Sequence, residues 1–230
     1  MSDIPYRNAL IIGAGFGISG SVTKLLRDAG LPVVIAARDV EKLKPLVSQY
    51  GAIALPVDAS DANQVARLFE EVEKRIGIPE VVVYNASGMV RGSIAELDPV
   101  QVQSSIAVTA LGAFHAVQQA ARRMLPLQKG AILLTGATAG VKGFARSAPF
   151  AMGKFALRGL AQSAARELMP QGIHVAHIVV DGAVRASGRP DPLDGTLDPD
   201  AIAQTYAQLL RQNRSAWSWE IEVRPWVEKF

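Results

Sequence analysis

The sequence predicts an α/β protein in which helices cover both faces of a parallel sheet, giving three α/β/α layers. Six short runs are almost continuously apolar, which is typical of strands buried on both faces. Helical segments with an apolar stripe separate these runs. The 230 residues, 49% apolar and 20% charged, suffice for a packed core and argue against disorder. The strand–helix–strand rhythm therefore predicts one doubly wound domain spanning residues 1–230.

The predicted strands occupy residues 8–12, 32–36, 52–56, 80–84, 131–135 and 175–180. Asp61, followed three residues later by Gln64, predicts a capping box at the start of a helix over residues 62–76. Asp98 and Asp198 each precede a proline, the pattern of an N-cap followed by a first-turn proline. Gly30 is expected to close the first helix.

Two segments fall outside this rhythm. Glycines and prolines crowd residues 181–196, and we interpret 182–197 as a candidate substrate loop, either a plain surface loop or a mobile lid. The segment 215–230 is rich in aromatic residues, and the alternation over 219–223 predicts an edge strand. Whether this tail closes the protein's own core or contacts another subunit stays open at this point.

Composition excludes several classes of function. The absence of cysteine excludes disulfides, thiolate metal sites and a cysteine nucleophile, and three histidines leave little for a metal centre, so no metal is expected. A dispersed net charge of +3 does not suit a dedicated nucleic-acid binder. No leader peptide or run of roughly 20 apolar residues is evident, so we expect a cytoplasmic protein without membrane contact.

A glycine-rich loop follows the first predicted strand and opens a helix. Residues 11–20 read Ile-Ile-Gly-Ala-Gly-Phe-Gly-Ile-Ser-Gly, and such glycines let backbone N–H groups approach a pyrophosphate. No Gly-Lys-Ser/Thr follows, which excludes a P-loop. The spacing resembles the Gly-x-x-x-Gly-x-Gly motif of short-chain dehydrogenases/reductases, which have a Rossmann-like fold, although Ser19 stands where the third glycine is usual.

The resemblance extends along nearly the whole chain. Asp58 resembles the family's adenine-contacting aspartate, and the run Asn85-Ala-Ser-Gly88 resembles its Asn-Asn-Ala-Gly element. Asp181-Gly182 stands where the family carries Pro-Gly beside the nicotinamide. The resemblance implies that the cofactor is bound by Gly13, Gly15, Phe16, Gly17, Ile18, Arg38, Asp58, Asn85, Ala86, Gly88, Lys154, Gly182 and Val184.

The end of the second strand indicates which nucleotide is preferred. An acidic residue there would bond a ribose 2′-hydroxyl, but this chain has Ala37 followed by Arg38. A guanidinium can clamp a 2′-phosphate, which favours NADP(H) over NAD(H). The alternative is that Arg38 is an ordinary surface residue.

The catalytic positions depart from the family. Its Tyr-x-x-x-Lys motif, in which tyrosine moves the alcohol proton, reads Phe150 to Lys154 here. Direct spacing puts Ala137 at the position of the family's carbonyl-polarising serine, and Thr138 takes it if the loop is one residue shorter. Thr109 stands where an asparagine is expected. The chain thus resembles an uncharacterised, tyrosine-lacking branch of the family.

Two functions remain open. One is an NADP(H)-dependent oxidoreductase of altered mechanism, in which Lys154 binds the ribose and Thr138 or a water handles the proton. The other is a non-catalytic NAD(P)-binding sensor or partner subunit. Ser147 and Asp181 are further stand-ins for the tyrosine, but they also read as ordinary loop or cap residues. A homodimer or homotetramer acting on an unidentified small molecule is expected, and the histidines are interpreted as structural.

Overall fold

The computed structural model describes residues 4–186 and 189–228, so residues 187–188 within the candidate loop and 229–230 at the end of the tail lie outside the described residues. The described residues form a parallel sheet of seven strands in the order β3-β2-β1-β4-β5-β6-β7. The strands are β1 Ala9–Ile12, β2 Val33–Ala37, β3 Ile53–Pro56, β4 Val81–Tyr84, β5 Gly130–Thr135, β6 Ile173–Val180 and β7 Glu220–Val223. The helices are α1 Ile18–Asp28, α2 Lys44–Tyr50, α3 Ala62–Ile76, α4 Pro99–Ile106, α5 Gly112–Met124, α6 Ala148–Leu168 and α7 Pro199–Arg211.

The continuous apolar runs form strands because both sheet faces are covered. Leu10 and Ile12 of β1 enter one core, whereas Ala9 and Ile11 enter the core on the opposite face. The predicted fold class is confirmed. The strand bounds move by one or two residues, and the largest change is β6, which begins at Ile173 because its first two residues already pair with β5.

The predicted helix starts are confirmed at all three aspartates, each of which accepts backbone N–H groups of the next turn. The capping box is only half formed. The Gln64 carboxamide oxygen accepts from the backbone N–H of Asp58 (3.0 Å) instead of from that of Asp61. The side chain therefore fastens the end of β3 to the start of α3. Gly30 has a φ of 87° just after α1, as expected of a closing glycine.

Helices α4 and α5 are joined by a π-helical stretch, Ala107–Leu111. The resulting helical segment Pro99–Leu127 is long and apolar enough to cross a membrane by length and composition, which the sequence expectation had missed. In the fold it is a layer beside the sheet, with Ala113, Ala116 and Ala120 in the core. Packing thus buries part of its apolar surface, whereas Leu111 and Phe114 on it are exposed, and one such helix is weak evidence for a membrane span.

Candidate active site

The site lies at the carboxyl ends of the strands, where the strand order reverses between β1 and β4. Open α/β sheets bind ligands at this switch point, because the loops after the two central strands diverge to opposite faces there. The loop after β1 carries the glycines, and the loop after β4 begins with Asn85. The Asn85 N–H donates to the carbonyl of Ile12 (2.8 Å), and its side-chain amide donates to that of Gly13 (3.1 Å).

The glycines of the first loop serve different purposes. Gly13 has a φ of 82°, and a Cβ there would lie 2.2 Å from the backbone nitrogen of Ala86. Its lack of a side chain therefore lets the two central loops touch, whereas the sequence interpretation had assigned that space to a phosphate. At Gly15 and Gly17 no described atom lies within 4 Å of an added Cβ, so that side of the loop is open.

Ser19, at the third glycine position, stabilises the loop. Its hydroxyl accepts from the N–H of Gly15 (3.0 Å) and lies 3.2 Å from the carbonyl of the same residue. The close approach that the family's third glycine provides falls instead to Gly20, where a Cβ would lie 3.0 Å from the Gly15 carbonyl oxygen. Among the described side chains, none caps α1 at Gly17. An uncapped helix start with an open loop before it suits a phosphate group.

A cavity of about 280 Å³ beside this loop collects the predicted adenosine-side residues Gly13, Arg38, Asp58, Asn85 and Ala86. The Ser60 hydroxyl (2.6 Å) and N–H (2.9 Å) both donate to Asp58, and these bonds lower the pKa of its carboxyl group. The carboxylate is therefore charged and fixed at neutral pH. The donor set and the open glycine faces fit a dinucleotide.

A second cavity, of about 420 Å³, lies on the other side of the loop. Phe16 and Gly17 line it together with Arg185 and Asp198. The two cavities thus take up only part of the predicted cofactor set. The predicted residues that line neither cavity are Gly15, Ile18, Gly88, Lys154, Gly182 and Val184. Groups of three His, Asp or Glu side chains placed to hold a metal ion are not found within residues 4–186 and 189–228.

Thr109 serves the loop after β4. It is fully buried, and its hydroxyl oxygen accepts from the N–H of Gly88 (2.9 Å), while the Ser105 hydroxyl donates to the Gly88 carbonyl (2.9 Å). The π-helical stretch around Thr109 is a common device for shifting a side chain at a functional site. Thr109 therefore holds the loop after β4 in place, at the position where the family's pattern expects an asparagine.

Phe150 and Lys154 share one face of α6, as their spacing predicts. The ammonium nitrogen of Lys154 lies 5.8 Å from the centroid of the Phe150 ring and donates to the carbonyl of Thr135 (2.7 Å). Only 3% of Lys154 is exposed, and this burial lowers its pKa to about 8. The ring supplies a cation–π contact and carries no proton that it could transfer.

The tyrosines do not replace the missing phenol. Tyr206 is fully buried, with its hydroxyl 2.7 Å from that of Thr135, and burial raises its pKa. Tyr84 is also buried, donates to the carbonyl of Val108, and has a pKa raised by burial.

Thr138 begins the 3₁₀ turn Thr138–Gly140 after β5 and contacts the end of β6. Its hydroxyl donates to a carboxylate oxygen of Asp181 (2.5 Å). The other oxygen of Asp181 lies 3.1 Å from the guanidinium of Arg224, in the tail after β7. The structure thus joins two of the proposed stand-ins, Thr138 and Asp181, and adds Arg224, which no sequence pattern had placed in the site.

These features agree with a match to known proteins. Residues 7–188 match the family model described as short chain dehydrogenase. The chain belongs to the short-chain dehydrogenase family. An uncharacterized oxidoreductase of Staphylococcus aureus strain MW2 is 29% identical over 223 residues, which cover 94% of this chain and 96% of the relative. Carbonyl reductase family member 4 of Xenopus tropicalis is 27% identical over 212 residues, covering 87% of this chain and 89% of the relative.

Solved structures extend the match. A short-chain dehydrogenase from Rhodopseudomonas palustris is 33% identical with a TM-score of 0.82, covering 96% of this chain and all of that one. A metagenomic short-chain oxidoreductase in complex with NADP is 28% identical with a TM-score of 0.84, covering 97% and 99%. The fold is therefore the Rossmann-like fold of these dehydrogenases.

The candidate substrate loop of this dehydrogenase is tied at its base. Val184 and Leu197 form a parallel bridge, and the Leu197 N–H donates to the Ala183 carbonyl (2.9 Å). Asp191 accepts from the N–H groups of Gly195 (3.1 Å) and Thr196 (2.8 Å). These bonds hold the two ends of the loop beside the end of β6.

The histidines of β6 are structural. His177 is fully buried under α6, with its Nδ1 3.0 Å from Glu220, and burial lowers its pKa. Glu220 also accepts two hydrogen bonds from Arg158 (2.7 and 2.6 Å), which ties β7 to α6. His174 stacks on Trp217 with ring centroids 4.8 Å apart. The stretch 217–223 therefore adds a strand to the protein's own sheet and packs on its core, whereas Trp226 after it is exposed.

Proposed function

We propose that this dehydrogenase is an NADP(H)-dependent oxidoreductase that works without a tyrosine acid. The proposal is carried by two observations: a cavity beside the glycine loop that Arg38 and Asp58 line, and a Phe150–Lys154 pair that keeps the lysine and lacks the phenol. The NADP complex of a 28% identical relative supports the choice of nucleotide. When bound, the nucleotide supplies or accepts a hydride.

In this proposal each polar residue of the site has one task. Arg38 binds the 2′-phosphate from its exposed position at the end of β2, and Asp58 contacts the adenine. Lys154 binds the ribose, and the shift of its pKa to about 8 leaves it largely protonated at neutral pH. Gly182 and Val184 border the nicotinamide.

The proton is handled by Thr138 or by a water, since Phe150 cannot donate one. General acid catalysis is typically worth about 10²–10⁴ in rate, so its loss slows carbonyl reduction without preventing hydride transfer. Substrates that need little help from a proton, such as activated double bonds, suit this site best.

A second candidate function is a non-catalytic NAD(P)-binding sensor or partner subunit. It is favoured by the contacts of Lys154, whose ammonium is held by the Thr135 carbonyl and the Phe150 ring. In such a protein the lysine would serve nucleotide binding alone.

Nucleotide titration followed by turnover assays separates the two functions. NADPH and NADH are titrated first, and NADPH absorbance is then followed with a panel of carbonyl and enoyl compounds. The assays compare native protein with Phe150→Tyr and with the matched control Phe155→Tyr. The added hydroxyl of the control would stand on the exposed side of α6. Turnover by the native protein supports the oxidoreductase. Tight binding with turnover only in Phe150→Tyr supports the sensor, and failure to bind either nucleotide contradicts both.

We also propose that the protein acts in the cytoplasm as a homodimer or homotetramer. The support is an apolar groove of about 550 Å³ lined by Ile106, Leu111 and Met152, with Phe114 of α5 and Phe155 of α6 exposed as well. Sedimentation should give a mass at least twice 24.5 kDa for the native protein and a smaller one for Leu111→Asp. A native monomer at all concentrations contradicts the proposal.

A further inference from the structure

We infer that Thr138 is a hydrogen-bond acceptor toward the substrate, with Asp181 as the positioning residue that fixes its hydroxyl. The substrate group that meets Thr138 is then a donor, an alcohol hydroxyl or an N–H. This inference rests on the proposed function, because it concerns the substrate side of the same site, and of the two proton donors named there it leaves the water.

The orientation of the Thr138 hydroxyl follows from its neighbours. A hydroxyl has one proton to donate and two lone pairs. The Thr138 oxygen lies 2.5 Å from a carboxylate oxygen of Asp181 and 3.5 Å from the carbonyl oxygen of Val180. Both neighbours are acceptors, so the proton points at the end of β6. Thr138 is partly exposed, and the two lone pairs of its hydroxyl oxygen are left for a further partner.

Asp181 can act as the buried acceptor of the Thr138 hydroxyl because its negative charge is compensated. Only 4% of the residue is exposed, and a buried carboxylate needs a charged partner and hydrogen bonds. Arg224 provides the charge at 3.1 Å, and the Thr138 hydroxyl provides a hydrogen bond. An ionised carboxylate only accepts, which prevents Thr138 from turning its proton outward.

The backbone holds these three residues together. The Asp181 N–H donates to the carbonyl of Val223 (2.8 Å), which places the tail beside the end of β6. A Cβ on Gly182 would lie 2.8 Å from Cδ of Pro225, so a glycine is needed for the tail to approach this closely. The arrangement is therefore built from three distant segments of the chain.

The chemical consequence is a reversal of polarity at this position. The family's serine, whose position falls on Ala137 by direct spacing or on Thr138 if the loop is one residue shorter, polarises a substrate carbonyl by donating to it. In this chain a carbonyl oxygen would meet lone pairs and be repelled, whereas a hydroxyl or N–H would be bound. The site is thus suited to a substrate that presents a donor, which can be an alcohol or an activated double-bond compound that carries a hydroxyl or N–H group.

Two probes that cannot react test the preference. Protein saturated with NADP⁺ is titrated with 1-methylcyclohexanol, a tertiary alcohol, and with cyclohexanone, and binding is followed by ligand-observed NMR. We expect the native protein to bind the alcohol about tenfold more tightly. Thr138→Val should abolish the preference, and Thr205→Val, the same change on α7, should keep it. Asp181→Asn should weaken or reverse it, because a carboxamide can donate to Thr138.

A second measurement needs no nucleotide. In the free protein the Thr138 hydroxyl proton should give a slowly exchanging NMR signal that is lost in Asp181→Asn. The inference is overturned if the native protein does not show this hydroxyl signal. It is also overturned if the native protein binds the ketone as tightly as the alcohol or more tightly, or if the preference for the alcohol survives in Thr138→Val. Failure of the native protein to bind NADP⁺ contradicts the proposed function instead. Normal nucleotide binding without alcohol preference contradicts only the role of Thr138.

Discussion

Replacing Gly13 with alanine should destabilise the fold before it affects the cofactor. The residue has a φ of 82°, and a side chain in this left-handed region costs about 1–2 kcal/mol. Its Cβ would lie 2.2 Å from the nitrogen and 2.4 Å from the Cα of Ala86, far inside normal contact. Overpacking of this kind costs about 1–3 kcal/mol. The free energy of unfolding should therefore fall by roughly 2–5 kcal/mol.

Gly15→Ala is the matched control in the same loop. No described atom lies within 4 Å of a Cβ at this position, so the variant should lose less than about 1 kcal/mol. The open space beside Gly15 is where a phosphate would approach, and we expect NADPH affinity to fall instead.

Urea unfolding of native protein and both variants measures the first effect, and NADPH titration of the folded samples measures the second. Equal free energies of unfolding for Gly13→Ala and Gly15→Ala would refute the assignment of Gly13 to the contact with Ala86.

Three further predictions concern charge. Burial lowers the pKa of Lys154 from 10.5 to about 8. Between pH 8 and 10.5 the unfolded chain thus binds more protons than the folded protein. Over this range the free energy of unfolding of the native protein should rise, relative to that of Lys154→Met, by up to about 3 kcal/mol. A pH-independent difference in urea unfolding contradicts this. Arg38→Asp should shift the NADPH/NADH affinity ratio at least about tenfold toward NADH, and the exposed control Arg67→Asp should not; an unchanged ratio in a titration refutes the phosphate clamp. Glu220 ties β7 to α6 through Arg158, so Glu220→Ala should lower the free energy of unfolding by about 1–3 kcal/mol. Glu167→Ala, on the exposed face of α6, should not lower it. Equal urea midpoints for the two variants would contradict a stabilising contact between β7 and α6.

Local patterns predicted the fold well, because most strands and helix starts depend on residues close in sequence. The apolar run of β1 is buried on both sides whatever its partners are, and Asp98 caps a helix that begins one residue later. The start of β6 was missed because His174 is polar. Its burial becomes favourable only through stacking on Trp217 and a contact with the Ser218 carbonyl (2.9 Å), both far along the chain.

The site could be predicted only in part. The Phe150–Lys154 pair is a single helical turn, so its geometry follows from spacing. The glycine motif located the loop but gave no sign of the contact between Gly13 and Ala86, because the approach of Ala86 depends on the strand order. The contact of Asp181 with Arg224 joins segments that no periodicity links, and no local pattern could reveal it.

The pairing of Asp181 with Arg224 also restricts the order in which these residues could have arisen. A carboxylate buried at 181 without its cation would cost about 3–5 kcal/mol, a large part of the stability of an ordinary domain. The arginine alone would cost little, since Glu222 beside it on the surface already forms an ion pair with it. A lineage could therefore acquire the arginine first as a nearly neutral change, and only afterwards replace the residue at the end of β6. The tail would in that history have been prepared for the altered site before the site itself changed.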